Sequence, residues 1–175
     1  MERMESKTMA RSNNIKIVDN FLPIDIFKDI QAKAMDLPYF YSPNITFENF
    51  AHIEEKFNFY LTHVVYDNNV PNSPFFKDMQ VIIDKMGEDL FLKRIKINFY
   101  PRTERLIIHD KHRDNKKSHK GAIFSLNTCN GGTYVGDKFI ASVENRMLFF
   151  DPSQFHSSTT CTDKHARFNI NFNYF

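Results

Sequence analysis

The sequence predicts a mainly β fold, a sandwich or jelly roll, with two helices in its N-terminal half covering one sheet. Three observations predict it. From Ile95 onward, Ile95, Ile97 and Phe99 alternate with Lys96, Asn98 and Tyr100, the period of a strand. Short β-branched and aromatic runs follow, separated by turn chemistry at Asn130-Gly131-Gly132, Gly136-Asp137, Glu144-Asn145, Asp151-Pro152 and Thr162-Asp163-Lys164. Two segments upstream of Ile95 carry helical spacing instead. At 175 residues the chain is most simply one domain, and 19 Phe and 7 Tyr supply the apolar mass for its core.

The elements follow in order. Residues 1–13 read as a disordered tail, ahead of a single domain over 14–175. Helical support spans about 14–93 and the β core about 94–175. Ile15-Lys16-Ile17-Val18 alternates as a short strand. A helix follows, with Pro23 near its first turn, where a missing N–H costs little. Ile26, Phe27, Ile30, Ala34 and Leu37 form its apolar stripe, and Pro38 stops it. Phe57–Tyr66 is aromatic and β-branched, hence a strand, closed by Asp67-Asn68-Asn69. Ser73 is placed to cap a second helix with Pro74 at its first position. Val81, Ile82 and Met86 lie on its stripe, and Gly87 ends it. Strands are then expected from Ile95, over Arg105–His109, Ala122–Asn127, Thr133–Val135, Phe139–Val143, Met147–Phe150, Phe155–Ser158 and Ala166–Tyr174. In the last of these, Phe168, Ile170, Phe172 and Tyr174 share one face, and Arg167, Asn169, Asn171 and Asn173 the other. Either the polar face meets water, or it points inward and Arg167 needs an anion beside it.

Composition excludes several classes. A net charge of +2 with mixed signs argues against an electrostatically driven nucleic-acid binder. Lys116, Lys117 and Lys120 cluster, and read as a solvated loop rather than a substrate-steering patch. Cys129 and Cys161 are too far apart for a C-x-x-C pair, and read as two reduced thiols of a cytoplasmic protein. No apolar run is long enough to cross a bilayer, and Met1 to Asn14 lacks the apolar stretch of a secretion signal.

The chemistry concentrates at His112-Arg113-Asp114, followed by His156 and Arg167. An imidazole and a carboxylate one residue apart can turn toward one point at a strand end. Adding His156 gives two histidines and one carboxylate, which fill one face of an octahedral ferrous ion and leave the other open. Arg167 could pair with a carboxylate on an iron-bound acid. His109 is the rival ligand, three residues upstream. His52, His63 and His165 read as structural or surface residues, and His119 as solvated in its lysine-rich loop. His-Arg-Asp also occurs in protein-kinase catalytic loops, but no glycine-rich phosphate loop or Asp-Phe-Gly accompanies it here.

The run from Ile97 to Phe175 resembles the double-stranded β-helix core of the iron(II)- and 2-oxoglutarate-dependent oxygenases. The resemblance is to their small prolyl-hydroxylase-like branch in bacteria and their viruses. The matching text is Asn98-Phe99-Tyr100-Pro101, His112-Arg113-Asp114, Phe124-Ser125-Leu126-Asn127, Gly131-Gly132, Arg146 to Phe150, Phe155-His156-Ser157 and Arg167-Phe168-Asn169. Ile17 to Pro23 also resembles the approach to that branch's N-terminal helices.

The resemblance implies that His112, Asp114 and His156 bind Fe(II), and that Arg167 pairs with the distal carboxylate of 2-oxoglutarate. Tyr100 would line that pocket, and Asn169 stands where many relatives carry a hydroxyl residue. Ser125 falls where prolyl hydroxylases often have a tyrosine that also touches the co-substrate, a departure within the expected co-substrate residues that leaves the second carboxylate contact open. The activity implied is hydroxylation with O2 as oxidant, succinate and CO2 as co-products, and ascorbate as a candidate reductant. The substrate would be a peptide, a protein or a small metabolite, with prolyl or peptidyl units preferred by analogy alone. Residues 39–57 and 111–120 would be substrate-side loops. The setting would be cytoplasmic, including that of an infected bacterial host. Two other classes fit parts of the pattern: a non-catalytic jelly-roll binding or virion module, and a zinc hydrolase using the same triad.

Overall fold

A computed structural model describes residues 15–45, 57–114 and 119–175. The expected tail, His52, Lys116 and Lys117 lie outside the described residues. The chain runs β1 (Lys16–Val18), α1 (Ile24–Met35), β2 (Phe40–Ser42), β3 (Tyr60–Asp67), β4 (Val70–Pro71), α2 (Phe76–Met86), β5 (Leu92–Pro101) and β6 (Lys120–Ser125). It continues through β7 (Gly132–Val135), β8 (Lys138–Ala141), β9 (Arg146–Phe150), β10 (His156–Ser158) and β11 (Ala166–Tyr174). The strands form two antiparallel sheets. An eight-stranded sheet has the order β1-β9-β6-β11-β5-β3-β2, with β4 paired to β3. A three-stranded sheet has the order β10-β7-β8.

β11 is the hinge of the design because it lies between β5 and β6. Ile170 pairs with Ile97 and with Phe124, and Phe172 with Ile95 and with Ala122. All six are buried and join one core with Phe27, Ile30 and Ala34 of α1 and Met79, Ile82 and Ile83 of α2. Both helices therefore pack on the apolar face of the large sheet. Each fully buried Phe or Ile contributes roughly 1.5–3 kcal/mol. The opposite face of the same strands carries the cleft described below.

Several elements differ from the sequence reading, each for a local reason. α2 starts at Phe76, because the turns before it close on the carbonyls of Ser73, Pro74 and Phe75 at 3.0–3.2 Å. Ser73 Oγ still accepts from the N–H of Phe75 at 3.3 Å, as a capping hydroxyl does. Its hydroxyl also donates to Nε2 of His63, whose Nδ1 donates to the Pro38 carbonyl. His63 is thus a buried structural residue. β3 begins at Tyr60, three residues later than expected. It turns through Asn68 and Asn69, both at positive φ (52° and 61°), into the unanticipated β4. Arg105–His109 is not a strand. Opposite it stand the three residues of β10 and Thr159, so the segment makes only the isolated bridge of Ile108 to Thr159, and a second bridge, His112 to His156, follows it. His119 is buried at 5% exposure, not solvated, with the ring of Phe175 6.2 Å away.

Candidate active site

The His112–His156 bridge assembles the site. His112 N–H donates to the His156 carbonyl at 2.9 Å, and His156 N–H donates back at 3.0 Å. Directly opposed residues that exchange both bonds send their side chains to the same side. The two imidazole centroids lie 4.4 Å apart. Asp114, one residue beyond Arg113, is anchored by its own N–H to the Pro152 carbonyl at 3.1 Å. Arg113 turns the other way and lays its guanidinium over Phe155 at 4.0 Å. Alternation thus delivers His112 and Asp114 to one point.

At that point the donor atoms of His112, Asp114 and His156 lie within 4.8 Å of one another. Asp114 Oδ1 is 3.7 Å from Nε2 of His112 and 3.5 Å from Nε2 of His156. Each imidazole is oriented from behind: Nδ1 of His112 donates to the Asp110 carbonyl and Nδ1 of His156 to the Gln154 carbonyl. That fixes the tautomer leaving both Nε2 atoms as lone-pair donors, as metal-ligating histidines require. Burial, and the neighbouring His156, push His112 down to about 4, so it is neutral at physiological pH. Burial opposes the charge on Asp114. The polar groups around it, His156 first and then His112 and Arg94, outweigh it and hold that carboxyl well below the usual range. Asp114 Oδ2 is buried with no hydrogen-bond partner among the described residues. Two imidazole Nε2 atoms and an ionised carboxylate are the donor set a first-row divalent ion takes, so the residues fit the metal.

The same cleft holds Arg167, which is 1% exposed. Its Nη1 donates to the Thr159 carbonyl at 3.2 Å and its Nη2 to Thr133 Oγ1 at 2.8 Å. Its guanidinium lies 5.3 Å from the ring centre of Tyr100, and Nε has no partner among the described residues. Burial lowers its pKa. No carboxylate among the described residues pairs with it. Gly131 makes room for it: a Cβ there would stand 2.2 Å from the Thr160 carbonyl oxygen and 3.1 Å from Arg167 Cδ. The inward reading of β11 is therefore the observed one, and its polar face lines the cleft.

The cleft is partly open, with about 430 Å³ of empty space, solvent-open part included. Tyr100 and Asn169 line it, and Asn98 Nδ2 donates to Asn169 Oδ1 at 3.1 Å. Ser125, opposite Asn169 in register, is buried but not among the lining residues. His109 lies outside the donor cluster. It stacks on Tyr100 at 5.6 Å, and its Nδ1 is 2.8 Å from Ser158 Oγ. The sequence reading missed Thr133, Ser158, Tyr60 and Lys96, which also line the cleft. Only the alternation of Lys96 with Ile95 and Ile97 hinted at which way it faces. Cys129 and Cys161, distant in sequence, come together with Asp163 as free thiols whose donor atoms lie within 4.8 Å.

No family model and no curated protein matches the chain. Solved structures do. A 2OG-Fe(II) oxygenase family oxidoreductase from Burkholderia pseudomallei superposes with a TM-score of 0.62 at 13% identity, over 91% of this chain and 84% of that one. The viral collagen prolyl hydroxylase of Paramecium Bursaria Chlorella virus-1, solved as its 2OG complex, gives 0.59 at 11% identity, over 93% and 96%. HygX from Streptomyces hygroscopicus, solved with nickel, 2-oxoglutarate and hygromycin B, gives 0.60 at 10% identity, over 93% and 82%. The chain shares their fold across nearly its whole length.

Proposed function

We propose that the protein is an iron(II)- and 2-oxoglutarate-dependent dioxygenase, built as one double-stranded β-helix domain over residues 14–175, and that it hydroxylates its substrate. The observation that carries this reading is Arg167. A buried guanidinium without a carboxylate partner opens onto the same cleft as a two-histidine, one-carboxylate cluster. An uncompensated buried charge is expensive, and a diacid that reaches both metal and arginine removes the cost. A zinc hydrolase would use the triad but gives Arg167 no task. A binding or virion module gives neither feature one.

His112, Asp114 and His156 would hold the ion, and Arg167 the distal carboxylate of 2-oxoglutarate through a charge-assisted contact. Iron held by these residues would supply oxidative decarboxylation of 2-oxoglutarate by O2 to succinate and CO2, coupled to substrate hydroxylation. The chain's own work is placement. Thr133 and the Thr159 carbonyl hold the guanidinium in one pose. Tyr100 closes one wall, and burial pushes its phenol up to about 12, so it remains a neutral donor. Phe150 packs edge-on against His156 at 5.2 Å and shields it from water. A prolyl or peptidyl substrate is the reading that the viral prolyl hydroxylase favours. No helix among the described residues is long and apolar enough to cross a membrane.

The test is an anaerobic titration with iron and then 2-oxoglutarate, followed by oxygen and a succinate assay. Saturable, iron-dependent 2-oxoglutarate binding is expected. Iron binding without any co-substrate affinity would sink the proposal and favour the hydrolase.

A further inference from the structure

The inner face of the large sheet is a ladder of rows. Register places Arg167 against Tyr100, Asn169 against Asn98, Asn171 against Lys96 and Asn173 against Arg94. Arg167 occupies one end, and two more cations occupy the other. Lys96 lines the cleft together with His112, Asp114 and Asn171. Its Nζ donates to Tyr60 Oη at 2.8 Å and lies 4.8 Å from that ring's centre. Tyr60 stacks on Tyr100 at 5.7 Å, with the planes 19° apart, and so fixes where the ammonium sits. In the next row Arg94 has a buried Nε without a hydrogen-bond partner. Among the described residues neither cation has a carboxylate within ion-pair distance.

Formal charge makes this end informative. With the proposed ligands bound, Asp114 and the two carboxylates of 2-oxoglutarate match the ferrous ion and Arg167. Lys96 and Arg94 are left over. The Lys96 backbone stands four residues along β5 from Tyr100, roughly 13 Å, so its ammonium enters the cleft from the row of Asn171 rather than from the Arg167 end. The phenol of Tyr60 responds to the same field. Burial raises its pKa, but Lys96 and Arg94 outweigh that and bring it below its ordinary value.

We infer that Lys96, with Arg94 and Asn171 beside it, forms a second anion subsite, which holds a carboxylate or phosphate group of the primary substrate. The inference rests on the oxygenase reading and narrows its substrate to compounds with an anionic group near the reacting carbon. A prolyl unit would then be taken with a free carboxylate rather than inside a neutral peptide.

The experiment loads the wild-type protein with Fe(II) and 2-oxoglutarate without oxygen. Four probe sets are added: the free L-amino acids, their amides, nucleoside monophosphates and the parent nucleosides. Binding is read by calorimetry, and after oxygen is admitted succinate is read against the uncoupled rate. At least one acid or one phosphate should bind and stimulate, and its neutral counterpart should be weaker by about ten- to a hundred-fold. Which arm responds separates a carboxylate from a phosphate. Lys96→Met should weaken the active probe by a similar factor, and Lys96→Arg should restore part of it. Three outcomes overturn the inference: neutral probes acting as well as charged ones, no acid or phosphate acting at all, or Lys96→Met acting on 2-oxoglutarate affinity instead. Failure of the oxygenase reading is distinguishable, because wild type would then bind no 2-oxoglutarate before any probe is added.

Discussion

Phe168, Ile170, Phe172 and Tyr174 leave β11 toward the helices; Arg167, Asn169, Asn171 and Asn173 leave it toward the cleft. The backbone is the same and so are the neighbouring strands, yet burial does opposite things on the two sides. On the helix side Ile170 and Phe172 are fully buried among apolar partners, and burial is itself the stabilising term. On the cleft side Arg167, Asn169 and Asn173 are buried just as deeply, at 1–2% exposure. There burial costs, and it is offset only where partners exist. Arg167 Nε, Asn171 Oδ1 and Asn173 Oδ1 have none among the described residues. The first face sets stability, and the second holds polar groups poised for ligands.

Two substitutions should separate these roles most sharply. Asp114→Ala should lower succinate formation by more than about a hundred-fold, since even outer-sphere partners of a metal cost 10–100-fold. Its metal-free thermal midpoint should stay near wild type. Normal turnover in this variant would refute the triad. Phe172→Ala makes the converse test. Removing a fully buried ring should cost about 3–5 kcal/mol in a urea titration. The iron and 2-oxoglutarate affinities of the folded fraction should be unchanged. If instead those affinities collapse while the fold survives, the two faces are not separable.

Arg167 sharpens the comparison further. A charge-assisted contact is worth roughly 1.5–3 kcal/mol, so Arg167→Ala should raise the 2-oxoglutarate dissociation constant by about one to two decades while iron still binds. Arg167→Lys should recover only part, because an ammonium lacks the planar fork. Arg167→Met carries the more pointed expectation. It removes a buried charge at similar volume, so the metal-free protein should be as stable as wild type or more so. Lower stability on calorimetric melting would mean that the bonds to Thr133 and Thr159 outweigh the burial cost.

What the sequence disclosed follows the range of the interaction. The alternation of β11 is local, so both faces could be read directly, and only their direction needed the structure. His112 and Asp114 are one residue apart, so their convergence was also legible. Lys96 and Tyr60 were not, because their meeting depends on the pairing of β3 with β5. That register sets Leu61 against Phe99 and Val64 against Lys96, a long-range pairing that no periodicity marks. His119 misled through its lysine-rich neighbours, since local composition says nothing about a C-terminal residue such as Phe175 folding beside it. Arg105–His109 misled in the opposite way: its side chains suit a strand, but its partner is too short to make a ladder.

The smallest effect concerns a polar group on the cleft side that takes no part in the donor cluster. Burial is the main reason that His109 is pushed down to about 3, with the charge of Arg167 adding to it. In the unfolded chain it returns to its ordinary value of 6.5. The folded pKa is the lower one, so the unfolded state binds the extra proton. Stability is then complete above about pH 6.5 and lost as pH falls toward 3. Between pH 6.5 and 5.5 this one group should remove about 1 kcal/mol from the metal-free protein. His112, pushed down to about 4, acts in the same direction, so the measured slope contains both. His109→Gln isolates the contribution. Its absolute stability will differ, because the stacking on Tyr100 changes, but the loss between those two pH values should shrink by about 1 kcal/mol. An unchanged pH slope would mean that His109 is already protonated in the fold. The cleft side of β11 would then tolerate a second buried cation beside Arg167, and the contrast between the two faces would be weaker than the burial of Arg167 implies.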